Sequence, residues 1–145
     1  MQGPVLSIIV PTFNERDNIP RLVEALDVCL VGVEWELIVV DDDSPDQTAA
    51  VVRAQACANH RVRCLHRIGR RGLSSACIEG MLSSSAPVVA VMDGDLQHDE
   101  RLLPDMLKAL LQGGYDIVIG SRYMAGGGIG EWDGMRALTS RWATR

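Results

Sequence analysis

Residues 93–99 read DGDLQHD and set Asp93, Asp95 and Asp99, with Glu100 next, directly behind the apolar run VVAVM at 88–92. Carboxylates this close raise one another's pKa and oppose folding unless a cation or a cationic side chain joins them. Asp93, Asp95 and Gln97 offer oxygen donors only, which suits a hard divalent ion such as Mg²⁺ or Mn²⁺ and leaves room in its shell for the oxygens of a diphosphate. The plainer alternative is a solvated Asp-Gly-Asp turn. The wholly apolar run before it and a second acidic cluster, DDDSPD at 41–46, favour the cation. Carboxylates at the end of such a run can also accept hydrogen bonds from a base N–H or a ribose hydroxyl. PTFNE (11–15) adds Phe13 for apolar contact and Glu15 as a further acceptor. Arg122 follows a further apolar run, where a guanidinium can clamp phosphate oxygens in bidentate fashion. Arg67, Arg70 and Arg71 read as a solvated bend, and His60, His66 and His98 lack metal-ligand spacing.

Five β-branched runs must position these groups: 6–11, 35–41, 62–67, 88–93 and 116–122. Helical spacing is clear over 17–31, with Ile19, Leu22, Val23, Leu26 and Leu30, and over 100–112, with Leu103, Met106, Leu107, Leu110 and Leu111. Segments 46–58 and 72–84 read as shorter, Ala- and Ser-rich helices. Strict alternation of the two types predicts an α/β fold with a mostly parallel sheet covered on both faces. Ligands of such sheets bind beyond the carboxyl ends of the strands. Every unusual polar cluster falls there: PTFNE, DDDSPD, GRRGLSS, DGDLQHD and SRY each follow a strand.

The chain has 145 residues, which predicts one domain over 1–145 with a real core. Hydrophobic residues make up 47%, with few aromatics, so the core is aliphatic. Eight of the 19 acidic residues lie in the two acidic clusters, which leaves eleven elsewhere against 14 Lys and Arg. Acidity this concentrated argues for cation binding and against nucleic acid. No apolar run approaches the roughly 18 residues that span a bilayer, and no basic leader precedes the first strand, so a soluble chain is expected. Cys29, Cys57, Cys64 and Cys77 form no CxxC pair and read as buried reduced thiols suited to the cytoplasm. The segment 131–145 has Trp132, Met135, Leu138 and Trp142 at roughly helical spacing among arginines, a pattern that either packs on its own domain or lies on a membrane surface. It stops within that pattern, as a cut chain would.

Taken in order, PTFNE (11–15), VVDDDSPDQT (39–48), GLSSA (72–76), VMDGDLQHD (91–99) and GSRY (120–123) resemble the inverting family 2 glycosyltransferases of GT-A fold. They are most similar to the branch that acts on dolichyl and other polyprenyl phosphates. The resemblance implies that Pro11, Thr12, Phe13, Glu15, Asp42 and Asp93 hold the nucleotide. It further implies that Asp93, Asp95 and Gln97 hold Mg²⁺ or Mn²⁺ on the diphosphate, and that Asp95, Arg122 and Arg136 serve transfer. The implied donor is a nucleotide-diphosphate sugar of the GDP-mannose or UDP-glucose class, the acceptor a polyprenyl phosphate, and the place the cytoplasmic membrane face. Departures are Gly94 where the family usually has Ala, Asp99 in place of Pro, a partial match at EWDGMR, and the absence of the later acceptor-side region. Within the family, transfer to a sugar hydroxyl or a non-catalytic nucleotide-sugar scaffold are the alternatives. A nucleotidyltransferase would need a Gly- and Lys-bearing loop after the first strand, and a receiver domain would need acids after the first and third strands. PTFNERDN and the positions of the acids fit neither.

Overall fold

Residues 6–12 and 35–41 are apolar at nearly every position, as strands buried on both faces must be. They form β1 (Leu6–Thr12) and β2 (Trp35–Asp41), paired in parallel from Leu6 opposite Trp35 to Thr12 opposite Asp41. β3 (Val62–His66) joins the far edge of β2 and β4 (Val88–Val91) the far edge of β1, so the computed structural model, which describes residues 3–121, has an all-parallel sheet of order β3-β2-β1-β4.

Four helices connect and cover the strands: α1 (Asn18–Cys29), α2 (Thr48–Ala58), α3 (Leu73–Leu82) and α4 (Leu103–Gly113). α1 has no side-chain cap at its N-terminus, but it buries Ile19, Leu22, Val23 and Leu26. At about 2 kcal/mol for each fully buried aliphatic side chain, that face outweighs a missing cap of about 1 kcal/mol. Those residues pack with Leu6, Ile8 and Val10 of β1, Trp35, Leu37 and Val39 of β2, Val52 of α2, and Leu103 and Leu107 of α4. On the opposite face Ile9, Ile38 and Val40 meet Ala76 of α3. α3 sits there because Gly80 has no side chain: a Cβ at that position would fall 2.3 Å from Ile9 Cγ2 and 2.9 Å from Val40 Cγ2.

The chain runs outward from β1 through β2 to β3, then crosses back to place β4 on the other side of β1. The strand order reverses at β1, and the turns that follow β1, β2 and β4 all lie at the carboxyl end of the sheet, where open α/β sheets bind ligands.

Two expectations need correction. The run at 116–122 has strand composition, yet its described residues 116–121 form no ladder, and Ile117 and Ile119 are 76% and 77% exposed. Alternating aliphatic residues favour a strand only where a partner edge receives them. The cysteines are free, but none is fully buried: Cys29, Cys64 and Cys77 are intermediate and Cys57 is exposed. Cys57 lies five positions beyond buried Val52, so helical rotation carries it off the core face. Among the described residues no helix is long and apolar enough to cross a membrane.

Candidate functional site

The turn after β2 is a set of carboxylates each of which accepts hydrogen bonds from the protein. Asp41 is fully buried; its Oδ1 accepts from Ser44 Oγ at 2.6 Å and its Oδ2 from the Ser44 N–H at 3.1 Å. Asp43, with a left-handed φ of 56°, accepts from the Gly69 N–H at 3.2 Å and faces His66 Nε2 at 3.0 Å. His66 Nδ1 lies 2.9 Å from Arg53 Nη2, and arginine only donates, so the ring proton sits on Nε2 and points to Asp43. The Gly69 N–H and then the His66 bond hold the Asp43 carboxyl below its ordinary pKa. Asp46 accepts from Thr48 Oγ1 at 2.6 Å and from the Arg16 N–H at 3.1 Å. Partial desolvation pushes its pKa up, but these bonds prevail and lower it. Asp46 thus opens α2 through its 2.9 Å bond from the Thr48 N–H and also ties the turn after β1 to the turn after β2.

Asp42 is the centre of a larger network. Arg67 Nη1 donates to its Oδ1 at 2.5 Å and the Gly72 N–H to its Oδ2 at 2.7 Å. Arg67 is only 2% exposed, so the expected solvated arginine is a buried ion-pair partner. It also donates to Gly72 O at 3.1 Å and Ser75 Oγ at 2.5 Å, while its Nε lies 3.3 Å from Glu79 Oε1 without hydrogen-bond geometry. Arg70 binds Glu79 in bidentate fashion at 2.8 and 3.0 Å. Burying a guanidinium is tolerable only with such a shell of acceptors. The sequence signal was available: Arg67 directly follows β3 beside the acidic end of β2, where a neighbouring cation is required. Each Asp42 oxygen keeps a second lone pair for an incoming donor.

The PTFNE turn lies against this cluster. Thr12 is buried with Oγ1 3.3 Å from Val40 O and 3.4 Å from Asp41 Oδ1. The Asn14 and Glu15 N–H groups donate to Ser44 Oγ at 3.0 Å and Thr48 Oγ1 at 3.1 Å. Glu15 Oε2 accepts from Asn18 Nδ2 at 2.6 Å. Pro11 is half-buried, and Phe13 is 42% exposed with the Arg71 guanidinium carbon 4.3 Å above its ring centroid. Pro11, Thr12, Phe13, Glu15 and Asp42 therefore share one end of the sheet.

The turn after β4 differs in kind. Gly94 is buried against β1, where a Cβ would stand 3.2 Å from both Thr12 Cγ2 and Val10 Cγ1, and that contact presses the turn onto the β1 end. Asp93 and Asp95, on either side, are exposed. Asp95 Oδ1 accepts from the Gln97 N–H at 3.0 Å, across a left-handed Leu96 at φ 60°. His98 Nδ1 accepts from the Asp93 N–H at 3.0 Å, which leaves its proton on Nε2, 3.6 Å from Asp93 Oδ2. His98, set aside on spacing alone, thus shapes the acidic turn. Asp99 is committed elsewhere: Arg101 binds both its oxygens at 2.7 and 2.8 Å and holds its pKa down, and its Oδ1 caps the 3-10 turn at Glu100–Leu102.

Asp93, Asp95 and Gln97 are exposed on one turn, and the chemistry of their oxygens suits a hard divalent cation. Among the described residues no three His, Cys, Asp or Glu converge as a self-sufficient metal cage. A hard cation at this turn would need further oxygen donors, of the kind a diphosphate offers. Beneath Gln97 and His98 runs a cleft of about 540 Å³ walled by β4, α4 and residues 118–121. Arg122 and Arg136, and the Trp132, Met135, Leu138 and Trp142 pattern, lie outside the described residues.

The chain is 41% identical over 138 residues to a dolichol-phosphate mannosyltransferase of Pyrococcus furiosus, covering 95% of this chain and 39% of that protein. It is 36% identical over 140 residues to a polyprenol monophosphomannose synthase of Mycolicibacterium smegmatis, covering 94% of this chain and 52% of the relative. This chain thus spans about half the length of these relatives or less. In structure it is similar to the mannosyltransferase PcManGT from Pyrobaculum calidifontis in complex with GDP-Man and Mn²⁺, with a TM-score of 0.64 and 25% identity over 76% of this chain and 33% of that one. The fold is that of GT-A glycosyltransferases. With residues 7–144 matching the sequence profile of Glycosyl transferase family 2, this chain belongs to that family.

Proposed function

We propose that residues 1–145 are the donor-binding part of a metal-dependent, inverting glycosyltransferase that moves a hexosyl group of the mannose or glucose class from a nucleoside diphosphate to a polyprenyl phosphate. The observation that carries this reading is the pair of unequal acidic turns at the carboxyl end of the sheet: one whose carboxylates all accept hydrogen bonds from the protein, the other with carboxylates open to solvent. The relatives' names, both of which specify mannosyl transfer or synthesis on a polyprenyl carrier, support the acceptor class. The GDP-Man and Mn²⁺ in PcManGT support a nucleotide-sugar donor and a divalent cation.

In this reading Pro11, Thr12, Phe13, Glu15 and Asp42 hold the nucleoside. Asp93 serves both nucleotide and metal, and Asp93, Asp95 and Gln97 hold Mg²⁺ or Mn²⁺. The cation, when bound, stabilises negative charge on the departing diphosphate. Gly94 lets the turn lie close on β1, which sets Asp93 and Asp95 beside the PTFNE turn. An acceptor phosphate is already ionised near neutral pH, so its oxygen forms the new bond to the anomeric carbon as the old C–O bond breaks toward the diphosphate. No general base is needed for that step. Arg122 and Arg136 are assigned to the phosphates of donor or acceptor, and the chain works at the cytoplasmic membrane face.

Titration calorimetry with GDP-mannose and UDP-glucose, with and without Mn²⁺, tests this. Binding of one donor that requires the metal supports the reading and names the base. Absence of binding to both, with Mn²⁺ present, overturns it.

A further inference from the structure

We infer that Arg71 is a base-covering residue: its guanidinium, stacked on Phe13 in the free protein, moves onto the face of the nucleobase when a donor binds, and Arg71 thereby favours a purine over a pyrimidine. This rests on the nucleotide-binding reading above and extends it to a residue on the loop after β3.

In the loop from Arg67 to Gly72, Arg67, Gly69, Arg70 and Gly72 are each anchored to a carboxylate by hydrogen bonds. Arg67 and the Gly72 N–H are bound to Asp42, the Gly69 N–H to Asp43, and Arg70 to Glu79. Left-handed φ values of 68° at Gly69 and 137° at Gly72 let the chain turn sharply between these anchors. Arg71 instead projects across the end of β2 to Phe13, which stands beyond the end of β1, and so bridges the mouth of the cluster that contains Asp42. The planar guanidinium over an aromatic ring at 4.3 Å is a cation–π stack on a half-exposed ring, an arrangement of modest strength. A nucleobase offers the same guanidinium a flat π face of equal or larger area, so the exchange of Phe13 for the base has little cost. A purine presents the larger face.

Competition against a fluorescent GDP analogue with Mn²⁺ present tests the assignment, using GMP, GDP and UDP as competitors and the wild-type chain, Arg71→Ala and Arg71→Lys. Arg71 is exposed, so both variants should keep the wild-type melting temperature. The expected result is a loss of roughly fivefold to tenfold in GDP affinity for Arg71→Ala, the same factor for GMP, and a smaller factor for UDP. Arg71→Lys should recover little, because an ammonium is not planar. A loss that grows from GMP to GDP would make Arg71 a phosphate ligand and overturn the inference. Wild-type binding with unchanged Arg71→Ala affinity would sink this inference alone. Failure of the wild-type chain to bind any nucleotide would remove the donor-binding reading with it.

Discussion

The two acidic turns stand at the same end of the same sheet and use the same residue type, yet their carboxylates are treated in opposite ways. After β2, Asp41, Asp42, Asp43 and Asp46 receive serine and threonine hydroxyls, backbone N–H groups, a histidine and a buried arginine. After β4, Asp93 and Asp95 face solvent, with one backbone donor on Asp95 and a histidine beside Asp93. A carboxylate with donors supplied by the protein ties distant turns together, as Asp42 does even where it keeps lone pairs for a ligand. In the function proposed above, one held in place with few such donors is open to a ligand that brings its own charge. Crowded acids in a sequence therefore do not by themselves mark a cation site; the supply of protein donors separates the two uses.

If the comparison is right, removing a carboxylate from the first turn should damage the fold, and removing one from the second should damage binding only. The largest effect is expected for Asp42→Ala, which strands the buried Arg67 charge. Loss of one partner of a buried pair costs roughly 3–5 kcal/mol, and urea unfolding should read a destabilisation near the lower end because Glu79 remains close to Arg67. A loss below about 1 kcal/mol would remove the distinction between the turns.

Glu36, at the opposite end of the sheet, is a third saturated carboxylate and extends the comparison to pH. Desolvation pushes its pKa up, but Ser7 Oγ, the Ser85 N–H, Arg63 and Ser85 Oγ outweigh it and hold the group to about 2. Because the folded value lies below the unfolded one of roughly 4.3, the stabilisation is complete above that pH and is lost as pH falls toward 2. Stability measured by urea should therefore drop by about 3 kcal/mol on this account between pH 5 and pH 2. Ser7→Ala should flatten that slope, and an unchanged slope would contradict the assignment. Asp95→Asn belongs to the other class: wild-type stability, with Mn²⁺-dependent nucleotide affinity lowered roughly 100-fold, since even partners behind a metal ligand contribute 10–100-fold. Gly80→Ala is the smallest test. It should cost about 1–3 kcal/mol through overpacking of α3 on the sheet, and should weaken the Asp42 network through Ser75 while sparing the Asp93–Gln97 turn.

Much of this was legible in the sequence because the pattern is local. Continuous apolar runs gave β1 and β2, and helical spacing gave α1 and α4 to within a few residues. The polar clusters after the first four runs fell at one end of the sheet, as alternating α/β order requires. What escaped depends on partners far along the chain. Arg67 could not be told from Arg70 and Arg71 by composition; it is buried because β3 lies next to β2 and sets it beside Asp42. Gly80 and Gly94 look like ordinary helix and turn residues until Ile9 and Thr12 approach them. The run at 116–121 has the alternation of a strand, but a ladder needs an edge as well as a pattern.

The central claim is that Asp93, Asp95 and Gln97 form half a metal shell that a nucleoside diphosphate completes. Electron paramagnetic resonance of Mn²⁺ counts the free ion directly. In a titration of the wild-type chain, the free-ion signal should fall far below that of chain-free and GDP-free controls only when chain and GDP are both present, and Asp95→Asn should abolish that excess. Equal Mn²⁺ uptake with and without GDP, or uptake unchanged in Asp95→Asn, would contradict the account.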